Sequence, residues 1–444
     1  MEYILKLLRW IAVDRAVAYA LFGKLWLLFA GPVTLYLISL FLSPATQGYY
    51  YTFLSLVALQ VFIELGFYVV ITQFASHEWS DLSLDESGSI IGDPISLSRL
   101  ISLGRLVFKW YALASLIFII IIGVVGYSLL SSKPGTNISW EEPWFIFIIL
   151  SGLQLWVLPF LSLLEGCNQV ANVYKFRLFQ AIVSSCVMWI ILYFDGGLWI
   201  AVASVGTGLL VNTSFFLLNY RNFFKTFFLV PPTKRISWKL EIWPMQWRLA
   251  LGGIVGYFMF SLYVPIMFHY HGPVVAGKMG MTWQILGALG PLAMAWITTR
   301  IPVWGMLIAK KQYSELDRQF FKTSVISLIV ITLGVLVLWL SVYGLSYIQH
   351  PLSDRILAPL PTAIFALGSI AIQVSQCLSS YLRAHKKEPF LSISIGGGLS
   401  TGILVWVLGS EYGPIGAGLS FLIVSIGTLP FGFRIWHRCR REWH

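Results

Sequence analysis

VFKWYALASLIFIIIIGVVGYSLL, residues Val107–Leu130, carries one charge, Lys109, in its first turn and none in the twenty-one residues that follow. A helix rises about 1.5 Å per residue and a bilayer's hydrocarbon core is about 30 Å thick, so ~20 apolar residues suffice to cross it. A spanning segment must satisfy its own backbone groups, and the run lacks the dyad alternation of a barrel strand, so it reads as a transmembrane helix. The rest of the chain repeats the pattern. Of 444 residues, 57% are hydrophobic and 11% are charged. Soluble domains average about 25% charge, so this composition excludes a water-soluble enzyme. The nineteen tryptophans suit a chain with many membrane–water interfaces.

Twelve apolar windows are long enough to cross. The first six are Val17–Leu42, Tyr49–Phe74, Val107–Leu130, Pro143–Leu164, Leu178–Phe194 and Leu198–Leu218. The last six are Leu249–Phe268, Val274–Thr298, Thr323–Ile348, Ile356–Tyr381, Phe390–Gly409 and Pro414–Phe433. Alternating the connecting segments puts 26 Lys and Arg on one side and only Lys133 and Arg355 on the other, with Lys24 and Lys278 inside spans. The positive-inside rule then makes the basic side, with both termini, cytoplasmic. The net charge of +11 is thereby mostly topology rather than a nucleic-acid surface. The fold expected is an all-α polytopic membrane protein of twelve transmembrane helices, in the inner membrane of the cell. It divides into a six-helix bundle over 1–220, a basic cytoplasmic linker over 221–248, a second bundle over 249–433 and a basic tail over 434–444.

A sequence echo supports two duplicated halves. Pro44-Ala-Thr-Gln-Gly48 after the first span matches Pro273-Val-Val-Ala-Gly277 after the seventh, 229 residues on. Gly166-Cys-Asn-Gln169 after the fourth span answers Ala384-His-Lys-Lys387 after the tenth. Pseudo-repeated bundles are how many transporters build a site that opens alternately to each side. In the cytoplasmic segment Ala75–Leu106, Leu82–Leu84 and Ser89–Ile91 flank Asp85-Glu86-Ser87-Gly88, which predicts a small hairpin. An interfacial helix over Leu97–Leu106 is expected to follow. The segment reads either as a docking platform or, with more weight, as a lid tying two spans together.

Enzyme signatures are missing: there is no HExxH, GxSxG, GxxxxGK[ST] or GxGxxG. The external loops are too short to carry the acids of a membrane glycosyltransferase or polymerase. No cofactor or metal is expected: His269 and His271 stand two apart without a third ligand, and the four cysteines form no pair or framework. Glu141 and Glu142 read as a solvated loop pair, and Asn137-Ile-Ser139 fits a glycosylation site only formally. The N-terminus, with Lys6 and Arg9, reads as leading into an uncleaved first span.

Ionisable residues inside the membrane are the informative class, because an unpaired charge there costs at least ~2.5–3.5 kcal/mol. Lys24 lies nine residues beyond Arg15, ~13 Å deep, and Glu64 lies ten residues before Phe74, ~15 Å from the same edge. Adjacent antiparallel spans bring the two to one depth, so they are expected to approach one another or to share a polar lumen. Glu64 is the candidate ion-coupling acid, with Gln60 one turn before it; the other reading of Lys24 and Glu64 is a buried structural pair. Lys278 near the external mouth of the eighth span, and Arg248 and Arg300 at the cytoplasmic ends, complete a cationic path for an anionic substrate. Gln154, Asn212, Gln284, Gln373 and Gln376 are expected to bond between helices. Pro32, Pro159, Pro265 and Pro291 are expected to kink their spans.

The chain resembles the polysaccharide or O-antigen flippases of the multidrug/oligosaccharidyl-lipid/polysaccharide exporter superfamily. The likeness is carried by Gly23-Lys24 with Ala30-Gly31-Pro32, by Pro44-Ala-Thr-Gln-Gly48-Tyr49-Tyr50, and by Gln60 through Glu64-Leu65-Gly66. Thr72-Gln73-Phe74-Ala75, Ala384-His-Lys-Lys387 and Gly413-Pro-Ile-Gly416-Ala-Gly418 extend it over all twelve windows. The resemblance implies a V-shaped alternating-access exporter with a cationic cavity. It implies translocation of an undecaprenyl-pyrophosphate-linked oligosaccharide to the external leaflet, coupled to a proton or sodium ion. A polysaccharide polymerase and glycosyltransferases would be its neighbours, with no nucleic acid involved. The alternatives are a multidrug or small organic cation exporter of the same fold, a membrane glycosyltransferase or polymerase, and a scaffold without transport.

Overall fold

The computed structural model describes residues 15–133, 138–385 and 387–443. Lys6, Arg9, Asn137 and Lys386 lie outside them. The described chain is almost wholly helical, with one two-stranded hairpin, and it is a multi-pass membrane protein. Among the described residues nine helices are long and apolar enough to span, and two bent pairs bring the number to eleven. The last of the nine runs 53 residues from Leu391 to Trp443, ~80 Å if straight, far more than one crossing. It breaks at Gly413, where φ is 60° and ψ is −139°. Its two arms fold back on each other: a methyl at Gly397 would touch Val424 at 3.7 Å, and one at Gly409 would touch Ala417 at 3.7 Å.

The chain forms two compact units, one made of the chain up to Leu42 with Leu56–Gly253, the other of Ser43–Ser55 with Ile254–His444. In the first unit α1 (Arg15–Phe41) lies along α7 (Val170–Tyr193). Trp26 Nε1 donates to Ser185 Oγ at 3.3 Å and Trp189 Nε1 to Thr34 Oγ1 at 2.8 Å. The second span is composite: α2 (Pro44–Val57), a 3-10 turn (Ala58–Gln60), the single turn α3 (Val61–Glu64), then α4 (Phe67–Glu78). It bends by 50°. Leu65 and Gly66 are both left-handed, at φ 54° and 66°, and they cut the ladder between α3 and α4. No proline marks this break. Of the prolines expected to kink their spans, Pro265 stands in the first turn after the 41° bend between Trp238–Phe260 and Tyr263–His271, while Pro32 and Pro159 lie inside helices.

The hairpin forms as β1 (Leu82–Leu84) and β2 (Ile90–Gly92), antiparallel, with Leu84 opposite Ile90. Asp85 Oδ1 closes the turn by accepting from Ser87 Oγ at 2.7 Å and from the Ser89 amide at 2.8 Å. These bonds hold the Asp85 carboxyl below its ordinary value of 3.8. The separate helix expected at Leu97–Leu106 is absent. Asp93 caps Ile95 and Ser96, Pro94 takes the first helical position, and α5 runs unbroken from Pro94 to Leu130. With no breaker in the next turns and Leu100, Ile101 and Leu103 fully buried, that turn joins the span instead of lying on the interface.

The remainder of the first unit is α6 (Glu141–Gly166), α7, α8 (Trp199–Asn219) and the short amphipathic α9 (Arg221–Leu229). α9 buries Phe223, Phe224 and Phe227, and Phe108 packs against Phe227 from α5. The hairpin bonds to α9, Asn222 Nδ2 donating to the Ser87 carbonyl, and beside it Arg99 of α5 bridges Glu78 at 2.8 Å and Glu241 at 2.7 Å. After a π turn (Trp238–Ile242) come α10 (Trp243–Phe260) and α11 (Tyr263–His271), bent by 41°.

In the second unit α12 (Pro273–Thr298), α13 (Ile301–Ala309), α14 (Tyr313–Tyr347), α15 (Pro359–Ala384) and the two arms of α16 (Leu391–Trp443) surround an aromatic core. Trp304, Phe320, Tyr381 and Trp436 form its basic end, where Asp317 accepts from Tyr381 and pairs with Arg440. The two echoed turns meet here. A methyl on Gly48 would sit 1.8 Å from the Pro273 carbonyl oxygen, and one on Gly277 2.9 Å from the Gly48 nitrogen. Buried Gln47 locks the contact, its Nε2 donating to the carbonyls of Gly277 and Arg355, each at 3.0 Å.

Candidate functional site

In the first unit the polar groups gather at the break in the second span. Once Leu65 and Gly66 turn left-handed, the first amides of α4 and the last carbonyls of α3 lose their helical partners inside the membrane. Discontinuous helices of this kind build ion and substrate sites in transporters, because they leave backbone dipoles free to meet a charge. Glu64 stands at the end of α3, half-buried, and Tyr111 from α5 donates its hydroxyl to Glu64 Oε1 at 3.1 Å. Gln60 closes the 3-10 turn just before it. One turn into α4, Tyr68 donates to Glu165 Oε2 at 2.6 Å, and Arg177 pairs with Glu165 Oε1 at 2.6 Å. Arg177 also lies over the rings of Tyr68 and Tyr174. A protonatable acid thus neighbours a neutralised ion pair.

Lys24 does not join this site in the way the matched depths predicted. Among the described residues no ion pair links Lys24 to Glu64; Lys24 is exposed on α1 beside exposed Leu21, Phe22 and Leu25. Equal depth on consecutive spans fixes height only, and α1 turns its inner face to α7, with Trp26 and Thr34 bonded there. Arg248 is exposed on α10, its guanidinium 5.6 Å from the Trp247 ring. Its neighbour Leu249 packs on the break: a methyl on Gly66 would fall 2.8 Å from Leu249 Cβ.

The second unit separates the other two cations. Lys278 and Arg300 stand 22 residues apart on one helical run, ~33 Å along the axis. Lys278 Nζ lies 4.0 Å from Asp354 in the 3-10 turn Pro351–Arg355, a loose pair with the carboxylate exposed. Arg300, exposed at the start of α13, lines a basin of about 500 Å³ with Arg318, Lys322, Gln319 and Glu315. Glu315 accepts from Arg318 and Gln319, each at 3.0 Å. Three cations therefore face one carboxylate that is already engaged. Arg318 and Lys322 were counted only as topology in the sequence; their spacing of four residues, one helical turn, was the available signal.

A second cavity, about 600 Å³, lies among α10, α12, α14, α15 and α16 in the same unit. Trp283, Phe260, Phe421 and Pro291 wall it, and Gln284, Gln373 and Gln376 supply its amides. Gln373 is committed to Ser327 at 2.7 Å, the interhelical bond expected of it. Among the described residues no cluster of three metal-ligating side chains occurs. His271 is taken by the Gly409 carbonyl at 2.8 Å, and the four cysteines are unpaired.

No family model and no curated protein matches the chain. Solved structures do. The lipid II flippase MurJ in an inward closed conformation is 14% identical, with 95% of this chain and 87% of that chain covered, at a TM-score of 0.62. A MOP superfamily transporter from Pyrococcus furiosus is 12% identical over 97% of this chain and 95% of that one, at 0.55. An inward-facing multidrug resistance MATE transporter of the same superfamily is 12% identical over 90% and 94%, at 0.53. The chain has the fold of the MOP-superfamily transporters.

Proposed function

We propose that the protein is a transporter that carries an undecaprenyl-pyrophosphate-linked oligosaccharide across the cytoplasmic membrane by alternating access, coupled to a proton or sodium ion at Glu64. The observation that carries the substrate class is the basin of Arg300, Arg318 and Lys322, whose single carboxylate is already neutralised. A pyrophosphate presents several anionic oxygens at one point, and clustered cations with a guanidinium fork answer that geometry. Lys24, Lys278 and Arg248 are further cations along the proposed path. Glu64, at a helix break and accepting from the Tyr111 hydroxyl and the Tyr68 amide, can change its proton or accept a cation with little rearrangement. We read twelve crossings, the Gly413 break being an external turn. In this reading the basic loops and both termini are cytoplasmic, and the halves 1–220 and 249–433 are joined by the linker 221–248. Polymerase and glycosyltransferase neighbours follow from the same reading.

The cavity around Trp283 favours a second reading, export of an apolar or cationic organic molecule, because its walls are aromatic and its polar groups are uncharged amides. Proteoliposomes separate the two. A polyprenyl-pyrophosphate oligosaccharide with a fluorescent sugar is expected to cross, and Arg300→Gln with Lys322→Gln to slow it at least tenfold. Movement of organic cations without movement of the lipid would reject the flippase reading.

A further inference from the structure

Outside the groups assigned above, α5 and the linker enclose a third pocket in the first unit, about 630 Å³, within the ~300–1,000 Å³ typical of small-molecule sites. Arg105, Lys109 and Arg235 line it, and no acidic residue does. Arg105 is spent on shape: its guanidinium donates to the carbonyls of Phe227, Phe228 and Val230 at 2.7 to 3.0 Å, tying the end of α9 to α5. Lys109 and Arg235 are exposed and bond to no acceptor among the described residues. Trp110 and Trp238 stack beside them at 6.4 Å, the pairing found where a protein meets the headgroup layer.

We propose that this pocket binds the headgroup of an anionic phospholipid, with Lys109 and Arg235 contacting its phosphodiester. The apolar continuation of the pocket distinguishes a lipid from a free anion. Leu113 forms its membrane-side rim, and Leu113, Leu116 and Ile120 are 55%, 56% and 57% exposed. With Val124, these residues make one stripe along α5 at helical spacing, ~16 Å long from Leu113, about half the hydrocarbon thickness and so the depth of one leaflet. A phosphate held by Lys109 and Arg235 places acyl chains directly on that stripe. Basic pockets at the cytoplasmic ends of spans are suited to such headgroups because the fields of their cations and of the surface act on the same charge. The site is independent of the transported substrate and would anchor the linker to the membrane.

Native mass spectrometry of the full-length protein tests this with phosphatidylglycerol and phosphatidylcholine of identical acyl chains. The wild type is expected to retain phosphatidylglycerol preferentially, and Lys109→Gln with Arg235→Gln to lower that preference about 30-fold, about fivefold per cation. Both side chains are exposed, so the unfolding temperature without added lipid is expected to match the wild type, while the rise caused by phosphatidylglycerol is lost. Unchanged preference in the double variant overturns the site. Equal retention of phosphatidylcholine does the same, and displacement of the lipid by inorganic phosphate would assign the pocket to a free anion instead.

Discussion

Replacing Gly48 by alanine is the sharpest test of the packing between the two echoed turns. The added methyl would fall 1.8 Å from the Pro273 carbonyl oxygen, and its other contacts are backbone as well. Even weak C–H···O contacts keep carbon and oxygen about 3.3 Å apart, so α2 and α12 must separate by about 1.5 Å. That displacement carries the Gln47–Gly277 bond from 3.0 Å beyond hydrogen-bonding range. Gln47 is buried, so its lost bond costs ~1–3 kcal/mol, and overpacking adds ~1–3 kcal/mol. The intrinsic helix preference of alanine offsets ~0.5–1 kcal/mol, leaving a destabilisation of ~1–5.5 kcal/mol. Gly252→Ala is the matched control, because a methyl there meets nothing within 4 Å and is expected to stabilise by up to ~1 kcal/mol. Denaturant or thermal unfolding in one detergent compares the pair. If Gly48→Ala unfolds within ~0.5 kcal/mol of Gly252→Ala, the close approach of the turns is wrong.

Glu64→Gln is expected to abolish ion-coupled accumulation while leaving the unfolding temperature within a few degrees of the wild type, because the amide can still accept from Tyr111. A gradient-driven transport assay that shows the variant unchanged would remove Glu64 from coupling. Arg177→Ala strands the buried Glu165; breaking buried pairs costs ~3–5 kcal/mol, and the one-third exposure of Arg177 lowers this to ~1–3 kcal/mol, measurable by unfolding. Asp85 has a folded-state pKa below 3.8, so its carboxylate supports the hairpin above that value, and the support is lost as pH falls through the lower folded value. Amide protection factors over 82–92, with exchange rates corrected for the intrinsic rate at each pH, are expected to fall in acid for the wild type and to be low at all pH values for Asp85→Ala, and equal protection for the two at neutral pH would contradict this.

Much of the architecture was legible because it depends on one-dimensional quantities. Run length and apolar content mark Val107–Leu130 and the other long spans, and β-forming residues around Asp85–Gly88 mark the hairpin. The site was less legible. Lys24 and Glu64 were matched by depth, a property that sequence position supplies, but contact also needs rotation about the helix axis. The spans' prolines mark candidate bends in the sequence, while the break in the second span falls at Leu65–Gly66, where a leucine takes the left-handed region and Leu249 packs on the adjoining glycine. Tyr111, Glu165 and Arg177 reach the break from three different helices, and no spacing along the chain joins them.

By itself, then, the sequence determined that this is an all-α, multi-pass membrane protein and that Pro44–Gly48 echoes Pro273–Gly277. Scarcity of charge and hydrophobic length are local properties, which a bilayer reads directly. Only the tertiary structure decided that the echoed turns touch, that Glu64 meets Tyr111 rather than Lys24, and that Arg300 shares a basin with Arg318 and Lys322. Those outcomes depend on how each helix is rotated and bent against its neighbours. Rotation and bending are set by the close packing of side chains distant in sequence, which no single segment encodes.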